Sequence, residues 1–371
     1  MTRIGFAYNQ KPDPIAAPAA ELARADEEPP SSGAAATLVA PAAAPDDEYA
    51  EWDSAETIAA VERALARQGE VVRLEATDDF PQRLRDARPD IVFNIAEGLR
   101  GPNREAHVPA ICEFYGIPYS GSDPFTLALC LDKSRTKEIL RAHAVPTADW
   151  WLVRATSEIP ALLARAVPYP LFAKPVHEGS SKGITERNLA ASPDALASIV
   201  AELLERYQQP VLVETFLPGA EFTCGVLGNG AEARVLPLVG MNFDALPAGA
   251  LPIYGFEAKW LWDSPAEPLP IFECPARIPD ALRHEIDDVV LRTFSALGCR
   301  DWSRIDVRLD GAGRANVVEV NPLPGILPEA ADNSCLPKAA RAAGLDYDAL
   351  IGACLQAAAA RHGVALDGGR G

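Results

Sequence analysis

The chain lacks any apolar run near the roughly 20 residues that a membrane-spanning helix needs, so nothing in it reads as a transmembrane segment. It also lacks a Cys-x-x-Cys pair. Its cysteines, Cys112, Cys130, Cys224, Cys274, Cys299, Cys335 and Cys354, are scattered and odd in number. That argues against a disulfide framework or a thiolate zinc site, and for a reducing compartment. Positive charge is scarce: 34 Lys and Arg face 52 Asp and Glu, a formal net charge of −18. Nucleic acids and anionic membranes are therefore poor partners, because phosphate binding needs positive surface. Met1 to Tyr8 carries no long apolar signal region and reads as a first strand, so a cytoplasmic location is expected. No internal repeat, Walker A sequence or Gly-x-Gly-x-x-Gly motif is present.

What is there is an ordinary soluble composition, 48% hydrophobic and 23% charged over 371 residues, enough for two or three domains. Strand-like Val71–Leu74 and the apolar run Asp90–Asn94 flank a helix that starts near Asp53-Ser54 and carries Ile58, Val61 and Leu65 on one face. This alternation predicts an α/β domain over residues 1–121. Residues 11–48, rich in Ala and Pro with acidic patches, read as a flexible insertion in it. A second unit is expected over 122–214, with helices at 134–142, 157–166 and 193–207 and strands at 150–153, 170–175 and 210–214. A third, 215–371, ends in an Ala-rich helix.

The third unit carries Arg304-Ile-Asp306-Val-Arg308 and, after Asp310-Gly-Ala-Gly313, Val317-Val-Glu319-Val-Asn321. Side chains two apart on a strand share a face. A hairpin therefore gathers Arg304, Asp306, Glu319 and Asn321 around one small volume. Hard oxygen donors in that arrangement suit Mg²⁺, which binds through one or two carboxylates together with substrate phosphates. Lys174 leads into Glu178-Gly179-Ser180-Ser181-Lys182-Gly183, whose backbone N–H groups and hydroxyls can cradle phosphate oxygens; local sequence also allows an ordinary turn with an exposed lysine. Lys133 opens a helix, as an anion partner or as a solvated charge. Glu221, in the connection after Val211–Glu214, reads on spacing alone as a surface residue. His107, His177 and Cys335 read as structural rather than reactive.

Taken in order, Ile117-Pro-Tyr-Ser-Gly121, Leu131-Asp-Lys133, Lys174 to Gly183, Glu214 to Glu221, Tyr254 to Lys259, Arg304-Ile-Asp306, Glu319-Val-Asn321 and Pro324-Gly325 resemble the ATP-grasp superfamily, and within it the D-alanine–D-alanine ligases. The resemblance implies an N-terminal parallel α/β domain followed by two ATP-grasp subdomains that enclose ATP. It implies that Lys133, Lys174, Glu178 and Ser181 meet the ATP phosphates, that Glu214, Phe216, Leu217 and Glu221 hold adenosine, and that Lys259 reaches the γ-phosphate. Asp306, Glu319 and Asn321 would bind two Mg²⁺ ions, or Mn²⁺ in their place. Arg304 and the Gly325 amide would stabilise a tetrahedral oxyanion. The partners implied are a small carboxylic acid, an amine and a second copy of the chain in a homodimer.

The sequence departs from the family on the donor side. The Gly-rich, glutamate-bearing motif after the first strand is replaced by Tyr8-Asn-Gln-Lys11-Pro-Asp13, and the later His-Gly by Asn94-Ile-Ala-Glu97-Gly98. The expected tyrosine after Lys259 is Trp260. Of a glutamate–tyrosine–serine triad over the donor, Ser180 alone is found. Ser334 matches a group that holds the acceptor carboxylate. An ATP-dependent ligase with a rebuilt donor pocket is therefore expected, with Glu97, Arg104 and Glu105 as recognition residues; their alternative role is to cap the helix starting near Ala106. A true D-alanine–D-alanine ligase, a tailoring ligase of secondary metabolism and a non-catalytic nucleotide-binding protein are the competing readings.

Overall fold

The computed structural model describes residues 1–12, 49, 51–98, 100–179, 181–247, 250–255, 258 and 269–367. Ser180, Lys259, Trp260 and nearly all of the 11–48 insertion lie outside the described residues.

The chain begins with β1 (Arg3–Tyr8), α1 (Ala55–Leu65), β2 (Glu70–Glu75), α2 (Phe80–Ala87), β3 (Ile91–Asn94) and α3 (His107–Tyr115). The three strands form a parallel sheet in the order β2-β1-β3. Parallel strands are covered on both faces, which is why Ile-Val-Phe-Asn of β3 is buried throughout. Ser54 caps α1 by accepting from the Thr57 amide, and Ile58, Val61 and Leu65 form its buried stripe, as the spacing predicts. α2 has no counterpart in the sequence reading.

Next come α4 (Pro124–Leu131), α5 (Lys133–Ala142), β4 (Trp150–Val153), α6 (Ile159–Leu163), β5 (Leu171–Pro175), β6 (Leu189–Ala190), α7 (Pro193–Tyr207) and β7 (Val211–Thr215). The strands make an antiparallel sheet ordered β4-β7-β5-β6. Its core joins Leu196, Val200 and Leu203 of α7 to Leu171, Ala173, Val211 and Val213. The expected helix 157–166 is shorter: a 3₁₀ turn at Thr156–Glu158 and then five residues of α-helix. Pro168 and Pro170 lie just beyond and disfavour helix in the residues before them.

The remainder is β8 (Glu221–Leu227), β9 (Arg234–Val235), β10 (Val239–Met241), β11 (Phe272–Glu273), α8 (Asp280–Leu297), β12 (Trp302–Leu309), β13 (Ala315–Asn321), α9 (Cys335–Ala342) and α10 (Tyr347–His362). These strands form a six-stranded sheet, β11-β10-β8-β12-β13, with β9 on β8. One face packs on α8 and on Cys130, Leu140 and Val145 of the α4–α5 region. On the other side Trp302, Leu336, Ile351 and Leu355 share a core with Ile4, Phe6, Ile58 and Leu65. The last helix is thereby packed against the first domain. No helix among the described residues is long and apolar enough to cross a membrane.

Candidate active site

β12 and β13 pair so that Asp306 faces Glu319 and Arg304 faces Asn321, with a bulge directly after Asp306. The alternation read from the sequence therefore produces the expected cluster. Asp306 accepts from Thr223 Oγ1 at 2.9 Å, from Arg304 at 2.9 Å and from Asn321 Nδ2 at 3.4 Å. Glu319 pairs with Lys133 at 2.9 Å. Arg304 turns along its own strand to Asp306, with which it forms an ion pair at 2.9 Å.

The electrostatics differ between the two carboxylates. Burial pushes the Asp306 carboxyl above its ordinary value, with Arg304 pulling it back and Glu319 adding to the rise. Burial also acts on Glu319, but Lys133, Lys174 and Arg304 outweigh it and hold that carboxyl below its ordinary range. Two carboxylates and an amide from the paired strands β12 and β13 form a donor set for a hard divalent cation. Among the described residues no group of three His, Cys, Asp or Glu could hold a metal. The coordination would therefore be completed by Asn321, water and phosphate oxygens, as Mg²⁺ favours.

The cluster opens into a cleft of about 280 Å³ where the two antiparallel sheets meet the first domain. Lys133, Lys174, Glu178, Ser181, Glu214, Phe216, Leu217, Glu221, Arg304, Gly325, Ser334 and Glu97 all line it. Lys133, Lys137 and Lys174 are only 5%, 2% and 3% exposed, and ammonium groups so deeply buried require anions. Glu214 supplies one. Its carboxylate takes Lys174 at 2.7 Å and Lys137 at 3.0 Å, so that side chain is committed to the lysines rather than free for a nucleoside. Burial opposes its ionisation, yet Lys137 and Lys174 bring its carboxyl down to about 2. Lys137 is not among the residues the sequence analysis singles out, although it lies four residues after Lys133 on the same helical face.

The loop 176–183 is anchored from several directions. Lys133 donates to the Glu178 carbonyl, Glu178 pairs with Lys182 at 2.7 Å and accepts from Gln209 at 2.7 Å, and Ser181 donates to the Tyr254 carbonyl at 3.1 Å. Glu51, which the sequence did not single out, is central to it. It accepts from the Gly179 amide at 3.1 Å, from Arg104 at 2.9 Å and from Lys182 at 3.1 Å. Glu51 follows the insertion and lies 128 positions before Gly179, so the fold alone brings the two together.

Arg104 also donates to the His177 carbonyl at 3.1 Å. The helix near Ala106 has no side-chain cap, so the capping role for Glu97, Arg104 and Glu105 is not realised. Glu221 pairs with Arg308 at 2.8 Å, and Arg308 lies 4.8 Å from the centre of the Phe216 ring. Ser334 Oγ accepts from the Leu327 amide at 3.1 Å and donates to the Gly325 carbonyl at 3.3 Å. The long loop 325–334 therefore closes on itself and returns Ser334 to the side of Gly325. His107 is exposed.

A parallel α/β domain set against two antiparallel sheets, with a cleft of lysines and carboxylates between them, is the architecture of an ATP-grasp ligase. The comparisons with known proteins agree. The family model described as D-ala D-ala ligase C-terminus matches residues 139–356. The chain is 36% identical over 272 residues to the uncharacterized protein y4sG of Sinorhizobium fredii, covering 73% of this chain and 75% of that protein. It is 36% identical over 263 residues to the D-alanine–D-alanine ligase of Chromohalobacter salexigens, covering 71% and 76%, and 33% identical over 306 residues to that of Pseudomonas putida strain GB-1, covering 82% and 88%. In fold it matches the crystal structure of D-alanine–D-alanine ligase from Bacillus anthracis complexed with ATP, at a TM-score of 0.66 and 21% identity, over 98% of this chain and 99% of that one. The chain belongs to the D-alanine–D-alanine ligase family and is an ATP-dependent ligase.

Proposed function

We propose that the protein joins the carboxylate of an amino-acid-like donor to the amine of a small amino acid, with ATP as the activating substrate. The donor carboxylate attacks the γ-phosphorus, ADP leaves, and an acyl phosphate results. The amine then attacks the acyl carbon, phosphate departs and the amine loses a proton. The observation that carries this reading is the convergence on one cleft of buried lysines and the Asp306–Glu319 strand pair.

Phosphoryl transfer asks the protein mainly for positioning and charge compensation. Lys133 and Lys174 suit the phosphates, with Ser181 lining the same cleft and Glu214 pairing with Lys174; the resemblance adds Lys259 to this set. Phe216, Leu217 and Glu221 suit the nucleoside. Asp306, Glu319 and Asn321 would hold divalent cations, Mg²⁺ or Mn²⁺, which when bound would offset charge on the phosphates. Arg304 and the Gly325 amide suit the oxyanion formed on amine attack, where one lost donor typically costs about 3 kcal/mol of transition-state stabilisation. Ser334, next to Gly325, suits the acceptor carboxylate.

Glu51, Glu97 and Arg104 differ in placement from the donor motif that the resemblance implies, and an acid other than D-alanine fits these changes. The test is ADP release across paired amino acids of both configurations, with the product identified by mass. Release that needs two amino acids supports the reading; ATP binding without ADP formation across the panel contradicts it.

A further inference from the structure

Where the first domain meets the loop 176–183, the cleft has an excess of negative charge. Glu51, Asp53, Glu97, Glu105 and Glu178 all line it. Three of these have a cation: Glu51 has Arg104 and Lys182, Glu178 has Lys182, and Asp53 has Lys11 beside it. Glu97 and Glu105 take no hydrogen bond and no ion pair among the described residues. Glu105 is 9% exposed, and what it exposes lies in the cleft. Burial, together with the carboxylates of Glu105 and Glu51, pushes Glu97 well above its ordinary range, and burial takes Glu105 to about 7 against the pull of Arg104. Arg104 pulls on both carboxylates and Lys133 on Glu105, but none of these cations forms an ion pair with either, and the net shift stays upward.

The pair is also held rigidly. The Gly98 amide donates to Asn9 Oδ1 at 2.8 Å and its carbonyl accepts from Trp52 Nε1 at 3.2 Å. Gly98 has φ +78°, and a Cβ there would stand 2.3 Å from the Arg104 carbonyl oxygen. The turn that presents Glu97 is thus fixed against the segment that presents Glu105, which favours recognition over surface solvation.

One α-ammonium offsets one of the two unmatched carboxylates and leaves the other. We infer that the acid donor carries a second positive charge, on its side chain, and that Glu97 and Glu105 together receive its two cations. This rests on the ligase reading above and names its donor as a short basic amino acid, such as a diamino acid.

The test compares diaminopropionate with aminobutyrate, and ornithine with norleucine, in both configurations. Each pair exchanges an ammonium for a methyl group. ADP release gives kcat/KM, and calorimetric titration of the nucleotide-free full chain gives affinity independent of turnover. The cationic member should be preferred by roughly tenfold or more in each assay, and Glu97→Gln or Glu105→Gln should bring that ratio close to one. Equal or greater preference for the neutral member, or a ratio unmoved by both substitutions, overturns the inference. Failure of the ligase reading looks different: no amino acid pair releases ADP, while the calorimetric preference for the cationic member stands.

Discussion

Lys137 from α5 and Lys174 from β5 share the Glu214 carboxylate, and the three side chains are almost wholly buried. Glu214→Gln keeps the shape and removes the charge, leaving two ammonium groups without an anion. Breaking a buried pair in this way costs about 3–5 kcal/mol, to be read from urea unfolding of the nucleotide-free protein. The acid limb carries the same signature. The Glu214 carboxyl lies at about 2 in the fold against an ordinary 4.5. Its stabilisation, roughly 3 kcal/mol, is therefore complete above pH 4.5 and lost as pH falls toward 2. The Gln variant should show a shallower loss over that window. Asp53 and Glu105, both raised to about 7 mainly by burial, act with the opposite sign. Their contribution is full below the ordinary carboxyl range and disappears as pH rises through 7.

At this scale the sequence was most readable where a local rule fixes the neighbour. Arg304, Asp306, Glu319 and Asn321 follow from a two-residue period around a Gly-rich turn. Glu51 follows from no local rule, because its partners Arg104, Gly179 and Lys182 are brought to it only by tertiary folding across the insertion.

Among the elements, the ones read from sequence carry terminal signals as well as periodicity. Ser54 caps α1 and Ser192-Pro193 opens α7. The strands β9 and β11 are two residues long, too short to show any period, and they were not foreseen. Turns matter as much as regular elements here. Gly98 takes a positive φ where a side chain would strike the Arg104 carbonyl. Gly98→Ala should destabilise the fold by about 1–3 kcal/mol and displace Glu97 from Glu105. The KM for the amino-acid donor should rise well above that of the wild type while the KM for ATP changes little. A change confined to ATP would contradict the placement of this turn in the donor pocket.

Across the whole molecule, one buried carboxylate joins segments far apart in the chain. Asp301 is 0% exposed. It accepts from the Gly121 amide, from Asn229 Nδ2 and from Arg361 Nη2, each at 2.8 Å. These lie at the exit of the first domain, after β8 and at the end of α10. Asp301→Asn preserves the left-handed backbone that Asp301 adopts at φ +64°, which asparagine tolerates, but leaves Arg361 without its counter-charge. A loss of about 3–5 kcal/mol and a clear fall in Tm are expected, and an unchanged Tm would show the junction to be held elsewhere. No sequence rule points to Asp301, because its partners are spread over 241 positions of the chain, from Gly121 to Arg361.

We propose that nucleotide and divalent cation meet at the Asp306–Glu319 strand pair. This is tested most directly by ADP release from the full chain, wild type against Asp306→Asn, with amino acids present and Mg²⁺ varied. Release should be Mg²⁺-dependent in the wild type and fall roughly a hundredfold or more in the variant, with circular dichroism and cooperative unfolding retained. Turnover by a folded Asp306→Asn protein at the wild-type rate, with the same Mg²⁺ dependence, would contradict it.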